Sequence, residues 1–345
     1  MKEFSFAQTD LFLPLRLGRT ARDTLQEFID IDVSTGDLAR ILNDNQAYHD
    51  LFFRFVSKKT AKLEKTAEGE NPEPASPTHR LVNLLGMLGS RNLILALRIH
   101  RLAHGSFPVA EGGEVQITAG DYLARALEAE ESFQRNGLEY SETAYAAGVY
   151  FDLCTRLYGR SGEMKKLQPY FDRTWQRAYR TGVVAYLLAE KLAGFTPKYA
   201  LAAGMMAHAG KLHMAAWFDG YADFETALDS NKDLPPIGRL LLERDKFGVM
   251  SEEIGSHTLR YFDVFKLVLP SVRYYREPYC LKGVDANNHK LAVLLWLADA
   301  MARSWRLPAD EKDPVFAEWT YPALGSLKIR RTLLMEVMKR AMTLK

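Results

Sequence analysis

The stretch GMMAHAGKLHM, residues 204–214, decides how this sequence is interpreted. Two glycines, a lysine and two histidines stand among apolar residues, so the stretch has three interpretations: a metal site, a site converted to another use, or ordinary helix. His208 and His213 are five residues apart and do not share the helical face that an i, i+4 pair would share. A histidine-pair metal site on one helix is therefore not predicted.

Composition predicts a folded protein with one large domain or two smaller ones. The 345 residues are 47% hydrophobic and 26% charged, with a formal net charge of +2, so we expect neither disorder nor a dedicated nucleic-acid binder. The two cysteines, Cys154 and Cys280, are far apart and form no disulfide framework. No signal peptide and no apolar run of about 20 residues is evident, which predicts a cytoplasmic protein without a transmembrane segment.

Helical periodicity dominates the chain after residue 35, and the predicted fold class is all-α with two helical lobes. Short alternating apolar stretches in residues 1–34 allow a small β element near the N-terminus. The predicted N-terminal lobe is 1–105, with a polar, flexible insertion at 57–79. A glycine-rich linker at 106–120, with a short strand at Val115–Thr118, leads to a C-terminal lobe at 121–345. In that lobe we predict long helices at 169–192, 197–212, 286–305 and 327–343.

Several segments, in this order along the chain, resemble the HDOD proteins, an output-domain branch of the HD phosphohydrolase superfamily. GMMAHAGKL resembles the family's GLLHDIGKL box, and the other segments that carry the resemblance are LARILNDNQAYHDLFFRFVSK (38–58), LLGMLGSRNLILAL (84–97), GVMSEEIGS (248–256), LPSVRYYREP (269–278) and LLWLADAMA (294–302). The resemblance implies an HD-like C-terminal lobe, a bacterial signalling role and a set of positions that once held metal.

The chemistry of those positions has changed. An HD hydrolase needs histidine nitrogens and carboxylate oxygens around metal, which supplies a nucleophilic hydroxide and polarises phosphate. Aligned on the box, the former metal and ligand-pocket positions are Arg180, Ala207, His208, Lys211, Ser251, Tyr275, Arg276 and Asp299. Only His208 and Asp299 could ligate a metal, whereas a catalytic site needs about three protein ligands. We therefore predict no catalytic residue, no metal, no cofactor and no phosphodiesterase activity.

The sequence favours two functions over a third, a residual hydrolase with an unusual site. The first is a non-catalytic scaffold or adaptor that binds signalling proteins. The second is a regulator that senses a phosphorylated small molecule, such as a cyclic dinucleotide, through a cationic pocket of Arg180, His208, Lys211 and Arg276. In the alternative to such a pocket, the two arginines pair with Asp299 or Glu277 and fill the space that the metal left.

Overall fold

The computed structural model describes residues 106–108, 114–116, 144, 147, 151, 162–231, 234, 236–260, 266–319 and 327–344. Within these ranges the protein is all-α, as predicted, apart from one small hairpin. The predicted N-terminal lobe, its 57–79 insertion and the β element near the N-terminus lie outside the described residues. In the described helices, no segment is long and apolar enough to cross a membrane.

A two-stranded antiparallel hairpin occupies the predicted linker. Strand β1 (Ser106–Pro108) pairs with β2 (Glu114–Gln116), with Ser106 opposite Gln116. The predicted strand at Val115–Thr118 overlaps β2, whereas β1, the strand that pairs with it, was not predicted.

Ten helices follow in the described part of the C-terminal region. They are α1 (Gln168–Lys191), α2 (Pro197–Met206), α3 (Ala209–Trp217), α4 (Tyr221–Ser230), α5 (Pro236–Phe247), α6 (Ser251–Leu259), α7 (Leu269–Tyr274), α8 (Ala286–Ser304), α9 (Val315–Glu318) and α10 (Arg331–Thr343). Short 3-10 turns at Gly162–Leu167 and Pro278–Leu281 complete the described path.

Helix α1 is the central element of the core. Pro169 occupies its first turn, where the missing N–H costs nothing, and buried side chains recur at helical spacing from Phe171 to Leu188. Helices α2, α8 and α10 pack against it. The buried side chains of α8 run from Ala292 to Ala302, so α1 and α8 form the apolar centre of the lobe.

The 204–214 stretch folds as two helices, which corrects the prediction of one helix over 197–212. Helix α2 ends at Met206 and α3 begins at Ala209, with a turn at Ala207 and His208. Each glycine of the box lies against a different neighbour. A Cβ on Gly204 would lie 2.7 Å from Gly182 Cα, and one on Gly210 would lie 1.7 Å from Ser251 O. These close contacts pull the two halves toward α1 and α6, and the chain must turn between them.

Helices α4 and α5 are attached to the rest of the lobe differently. Of α4, only Tyr221, Ala222 and Glu225 are buried. Helix α5 buries Arg239 and Glu243, while Leu241 remains 53% exposed. Leu240 is buried on the same helix, so its burial and the polar contacts of Arg239 and Glu243 together orient α5 on the protein surface.

Candidate functional site

The carboxylate of Asp299, on α8, is the centre of a buried polar cluster. Arg177 of α1 donates to it from two nitrogens, Nε at 2.8 Å and Nη2 at 3.0 Å. His208 Nε2 lies 3.3 Å from Asp299 Oδ1 and 3.1 Å from the Thr181 hydroxyl. Arg303 adds a donor from the next helical turn of α8 at 3.2 Å. Both carboxylate oxygens of Asp299 are therefore taken by cationic or imidazole nitrogens.

A second group surrounds the guanidinium of Arg276, just beyond the end of α7. Its Nη2 donates to Glu243 Oε2 at 2.7 Å and to the Ser251 hydroxyl at 2.9 Å, and its Nε donates to Glu252. Glu243 also accepts from the backbone N–H of Ser251 at 2.8 Å. The Glu243 carboxylate thus lies at the N-terminus of α6, where backbone N–H groups favour negative charge.

A third group contains Lys211 and Glu225. The Lys211 ammonium, only 4% exposed, donates to Glu225 of α4, which also accepts from the Tyr170 hydroxyl. Asp229, one turn further along α4, accepts from Arg177 at 2.7 Å and from Arg239 at 3.2 Å. Arg177 therefore links this group to the Asp299 cluster.

Between the groups lies a small cavity lined by charged and apolar side chains. The space that the centre of a water molecule can occupy in this cavity is about 20 Å³. One ordered water needs roughly 10–15 Å³ by this measure, so the cavity has room for one or two waters. Its charged lining consists of Arg177, Lys211, Glu225, Asp229, Arg239, Glu243, Arg276, Asp299 and Arg303.

The environment fixes the charge states of the cluster. Burial raises the pKa of Asp299, but Arg177 and His208 outweigh burial and hold that pKa well below its usual range. The pKa of Glu225 is lowered in the same way. Burial raises it, but the charges of Lys211 and Arg177 outweigh burial and lower the pKa to about 2. Burial lowers the pKa of His208 to about 4 despite the opposing Asp299. At neutral pH the two carboxylates are ionised and His208 is uncharged.

Arg180 does not join the cluster, which corrects its placement in the pocket. Its guanidinium lies over the Trp305 ring, 4.7 Å from the centroid. At about 100° per residue, Arg180 is rotated about 60° around α1 from Arg177, and this rotation takes its guanidinium to Trp305 and not to Asp299. Arg177 occupies the position that the sequence alignment gave to Arg180.

The other predicted positions do come together, with different partners from those expected. Arg276 pairs with Glu243 and Glu252, whereas Glu277 lies 3.4 Å from Arg273. Ser251 contacts Arg276. Ala207 forms the turn before α3, and the ring of Tyr275 meets the His208 ring edge-on at 6.4 Å.

Sequence reasoning missed the acidic half of the site. Glu225, Asp229, Glu243 and Glu252 offset the cations, so the arrangement is closer to the ion-paired alternative than to the cationic pocket, although the carboxylates are not the ones named from the sequence. A usable signal was present, because Glu225 stands one helical turn after the buried Tyr221 and Glu243 three residues after the buried Leu240. A carboxylate on an apolar helix face requires a buried partner.

The two buried histidines predict a loss of stability in mild acid. Burial lowers the pKa of His213 to about 3 and that of His208 to about 4, from 6.5. Protons therefore bind the unfolded chain first as the pH falls below 6.5, and stability is lost progressively down to those values. Each histidine contributes about 1.4 kcal/mol per pH unit in that window. Urea unfolding at a series of pH values measures the slope.

The variant His213→Phe isolates one of these contributions. Phenylalanine preserves the stacking on Trp217, whose ring centroid is 5.4 Å away, and it cannot take up a proton. The slope below pH 6.5 should fall by about 1.4 kcal/mol per pH unit. Leu241→Ala, at an exposed position of α5 that takes up no proton, serves as the control and should retain the original slope. An unchanged slope in His213→Phe would contradict the assignment.

Comparison with known proteins identifies one family. No curated protein and no solved structure matches the chain significantly. The family model of the HDOD domain matches residues 153–278, which include the 204–214 box, the GVMSEEIGS segment and Arg276. Among the described residues, no group of three or more His, Cys, Asp or Glu side chains is arranged to hold a metal ion. The resemblance is confirmed over this part of the C-terminal region, where residues 153–278 match the model of the HDOD domain.

Proposed function

We propose that this protein is a non-catalytic signalling scaffold or adaptor of the HDOD type, which acts by binding other signalling proteins. The observation that carries the proposal is the two-nitrogen contact of Arg177 with the carboxylate of Asp299. Asp299 and His208 are the two positions of the aligned set whose side chains could ligate metal, and both are engaged in this buried cluster.

Electrostatics supports the loss of metal chemistry. A catalytic metal needs free lone pairs on about three ligands at roughly 2.0–2.2 Å. The guanidinium of Arg177 occupies the oxygens that a metal would need and places a fixed positive charge there. A divalent cation would meet repulsion in a buried setting, where charges are poorly screened.

Retention of the helix packing supports the scaffold part of the proposal. The close contacts of Gly204 with Gly182 and of Gly210 with Ser251 keep α1, α2, α3 and α6 in fixed positions. A domain that keeps its packing while its ligand positions become alanine, serine and arginine still offers a rigid surface to partners. The HDOD resemblance points to bacterial signalling proteins as those partners, and the cytoplasmic location stays a prediction from the sequence.

The nucleotide-sensing alternative has less support in this conformation. A cavity with room for one or two waters cannot take a cyclic dinucleotide unless the site opens. The buried carboxylates of Glu225 and Glu243 already neutralise the cations that would bind phosphate.

Metal analysis together with a hydrolysis assay tests the proposal. We expect purified protein to contain far less than one equivalent of divalent metal, and to hydrolyse neither a generic phosphodiester nor cyclic dinucleotides when Mn²⁺, Mg²⁺ or Fe²⁺ is added. Stoichiometric metal together with metal-dependent turnover would refute it. The variant Arg177→Gln provides a second arm, and it too should show no hydrolysis.

A further inference from the structure

Helices α4 and α5 form a cover over the ion-pair network, and we call these two helices the lid. The side chains beneath it, Arg177, Lys211, Arg276 and Arg303 with Asp299 and Glu252, form the floor. Ion pairs join the two across the cavity: Lys211 with Glu225, Arg177 with Asp229, and Arg276 with Glu243.

Charge is divided unequally between the two parts. The floor carries four cations against two carboxylates, whereas the cavity-facing side of the lid carries Glu225, Asp229 and Glu243 against Arg239 alone. His208, with its low pKa, adds no charge at neutral pH. With the lid displaced, the floor would be a concave surface with an excess of positive charge.

Two lid carboxylates occupy positions built from anion donors. Glu243 accepts from the backbone N–H of Ser251 and from Arg276, which together resemble the helix-terminus and guanidinium donors of phosphate sites. Glu225 accepts from Lys211 and the Tyr170 hydroxyl, with Arg177 3.8 Å away.

The lid is coherent and its middle is held to the floor by polar contacts. Tyr221 donates to Glu243 at 3.0 Å and Arg239 binds Asp229, so α4 and α5 are linked to each other. The Tyr221 and Phe247 rings, 5.3 Å apart, join the two ends of the lid to each other. Aromatic contacts with Phe218 at 5.5 Å and Tyr170 at 6.4 Å anchor these ends to the rest of the domain.

Glycines in the positive-φ region flank the lid. Gly220, at +73°, precedes α4, and Gly248, at +74°, follows α5. Hinges are a few element-terminal residues that absorb changes in backbone angles, and glycine has the widest range of those angles.

We propose that the floor is a binding site for a small phosphate-bearing ligand, and that the lid carboxylates Glu225 and Glu243 are its internal competitors. Phosphate at the floor would take over the donors of Arg276, Ser251 and Lys211 and displace the lid about its ends. The displaced lid would change the surface that the domain presents. This goes beyond the adaptor function and requires neither metal nor hydrolysis, so each proposal can fail without the other.

Amide hydrogen exchange of the full-length protein, titrated with inorganic phosphate, tests the proposal. Exchange in 221–247 should accelerate with saturation, while 168–191 should remain protected. Sodium chloride at matched ionic strength should have a smaller effect without saturation. Unchanged or slower exchange of 221–247 in phosphate would overturn the proposal.

Charge-neutralising variants of the lid sharpen the test. Glu225→Gln and Glu243→Gln keep the side-chain shape and remove one internal competitor each. A change of about 1.4 kcal/mol in the free energy of lid closure corresponds to a tenfold change in the apparent affinity for phosphate. We therefore expect the phosphate midpoint of each variant to fall about tenfold. The matched control is Asp223→Asn, an exposed carboxylate of α4, which should leave the phosphate midpoint unchanged. A folded Glu→Gln variant could show faster exchange of 221–247 but the same phosphate midpoint as the unmodified protein. That result would refute competition between the lid carboxylates and phosphate.

Discussion

Replacement of Gly210 by alanine is expected to remove a large part of the protein's free energy of unfolding. A Cβ at this position would lie 1.7 Å from Ser251 O and 2.8 Å from Gly255 N, both backbone atoms that no side-chain rotation can move. Helices α3 and α6 would have to separate by more than an ångström, which would disrupt the packing on both. We expect a loss of about 4 kcal/mol or more, against a typical total of about 5–15 kcal/mol. Urea unfolding followed by circular dichroism measures the loss.

Two other glycines provide a graded comparison. Gly204→Ala brings the new methyl group within 2.7 Å of Gly182 Cα and should destabilise the protein less than Gly210→Ala. Gly194→Ala meets no atom within 4 Å, but its φ of +85° should cost alanine about 1–2 kcal/mol. If Gly210→Ala were no worse than Gly194→Ala, the close approach of α3 to α6 would be wrong.

The fold was largely predictable where the apolar pattern has one clear period. The predicted helices at 169–192 and 286–305 match α1 and α8 to within a residue at each end, because each has a regular buried face and a proline or aspartate near its start. The break at Ala207 and His208 was not predictable, because the residues on both sides are apolar and helix-forming. Tertiary packing of Gly204 and Gly210 on different helices imposes that turn.

The site was predictable only in part, because ion pairs between distant helices leave little trace in sequence. Lys211, Arg276, His208 and Asp299 were found through the order of family-like segments. Arg177 was missed in favour of Arg180, since both lie in the same helical stretch and only the helix rotation separates them. Glu225 is 48 residues beyond Arg177, and nothing in the local pattern pairs the two.

The second large effect concerns Asp299→Asn, which should destabilise the protein by about 3–5 kcal/mol. The substitution keeps the shape of the side chain but removes the charge that compensates Arg177 and Arg303, and Asp299 is only 3% exposed. Breaking a buried pair by removing one partner leaves the other charge less well compensated, and that is the source of the cost. Arg177 keeps Asp229 as a partner, whereas Arg303 loses its nearest carboxylate. The matched control is Asp219→Asn, on an exposed turn, which should change stability by no more than about 0.5 kcal/mol.

The same variant distinguishes an ion-pair role of Asp299 from a metal-ligand role. If Asp299 held a metal, a chelator would destabilise the original protein by removing a ligand of the native state, and Asp299→Asn would abolish that sensitivity. If Asp299 holds Arg177, a chelator should leave the unfolding midpoint unchanged, and the full loss should follow from the substitution alone. The double variant Arg177→Met with Asp299→Leu should then be more stable than Asp299→Asn, because it removes the buried Arg177 cation together with its carboxylate, while Glu225 and Asp229 keep Lys211 and Arg239 as partners. A midpoint that falls with chelator in the original protein but not in Asp299→Asn would contradict the ion-pair role and restore a metal at this position.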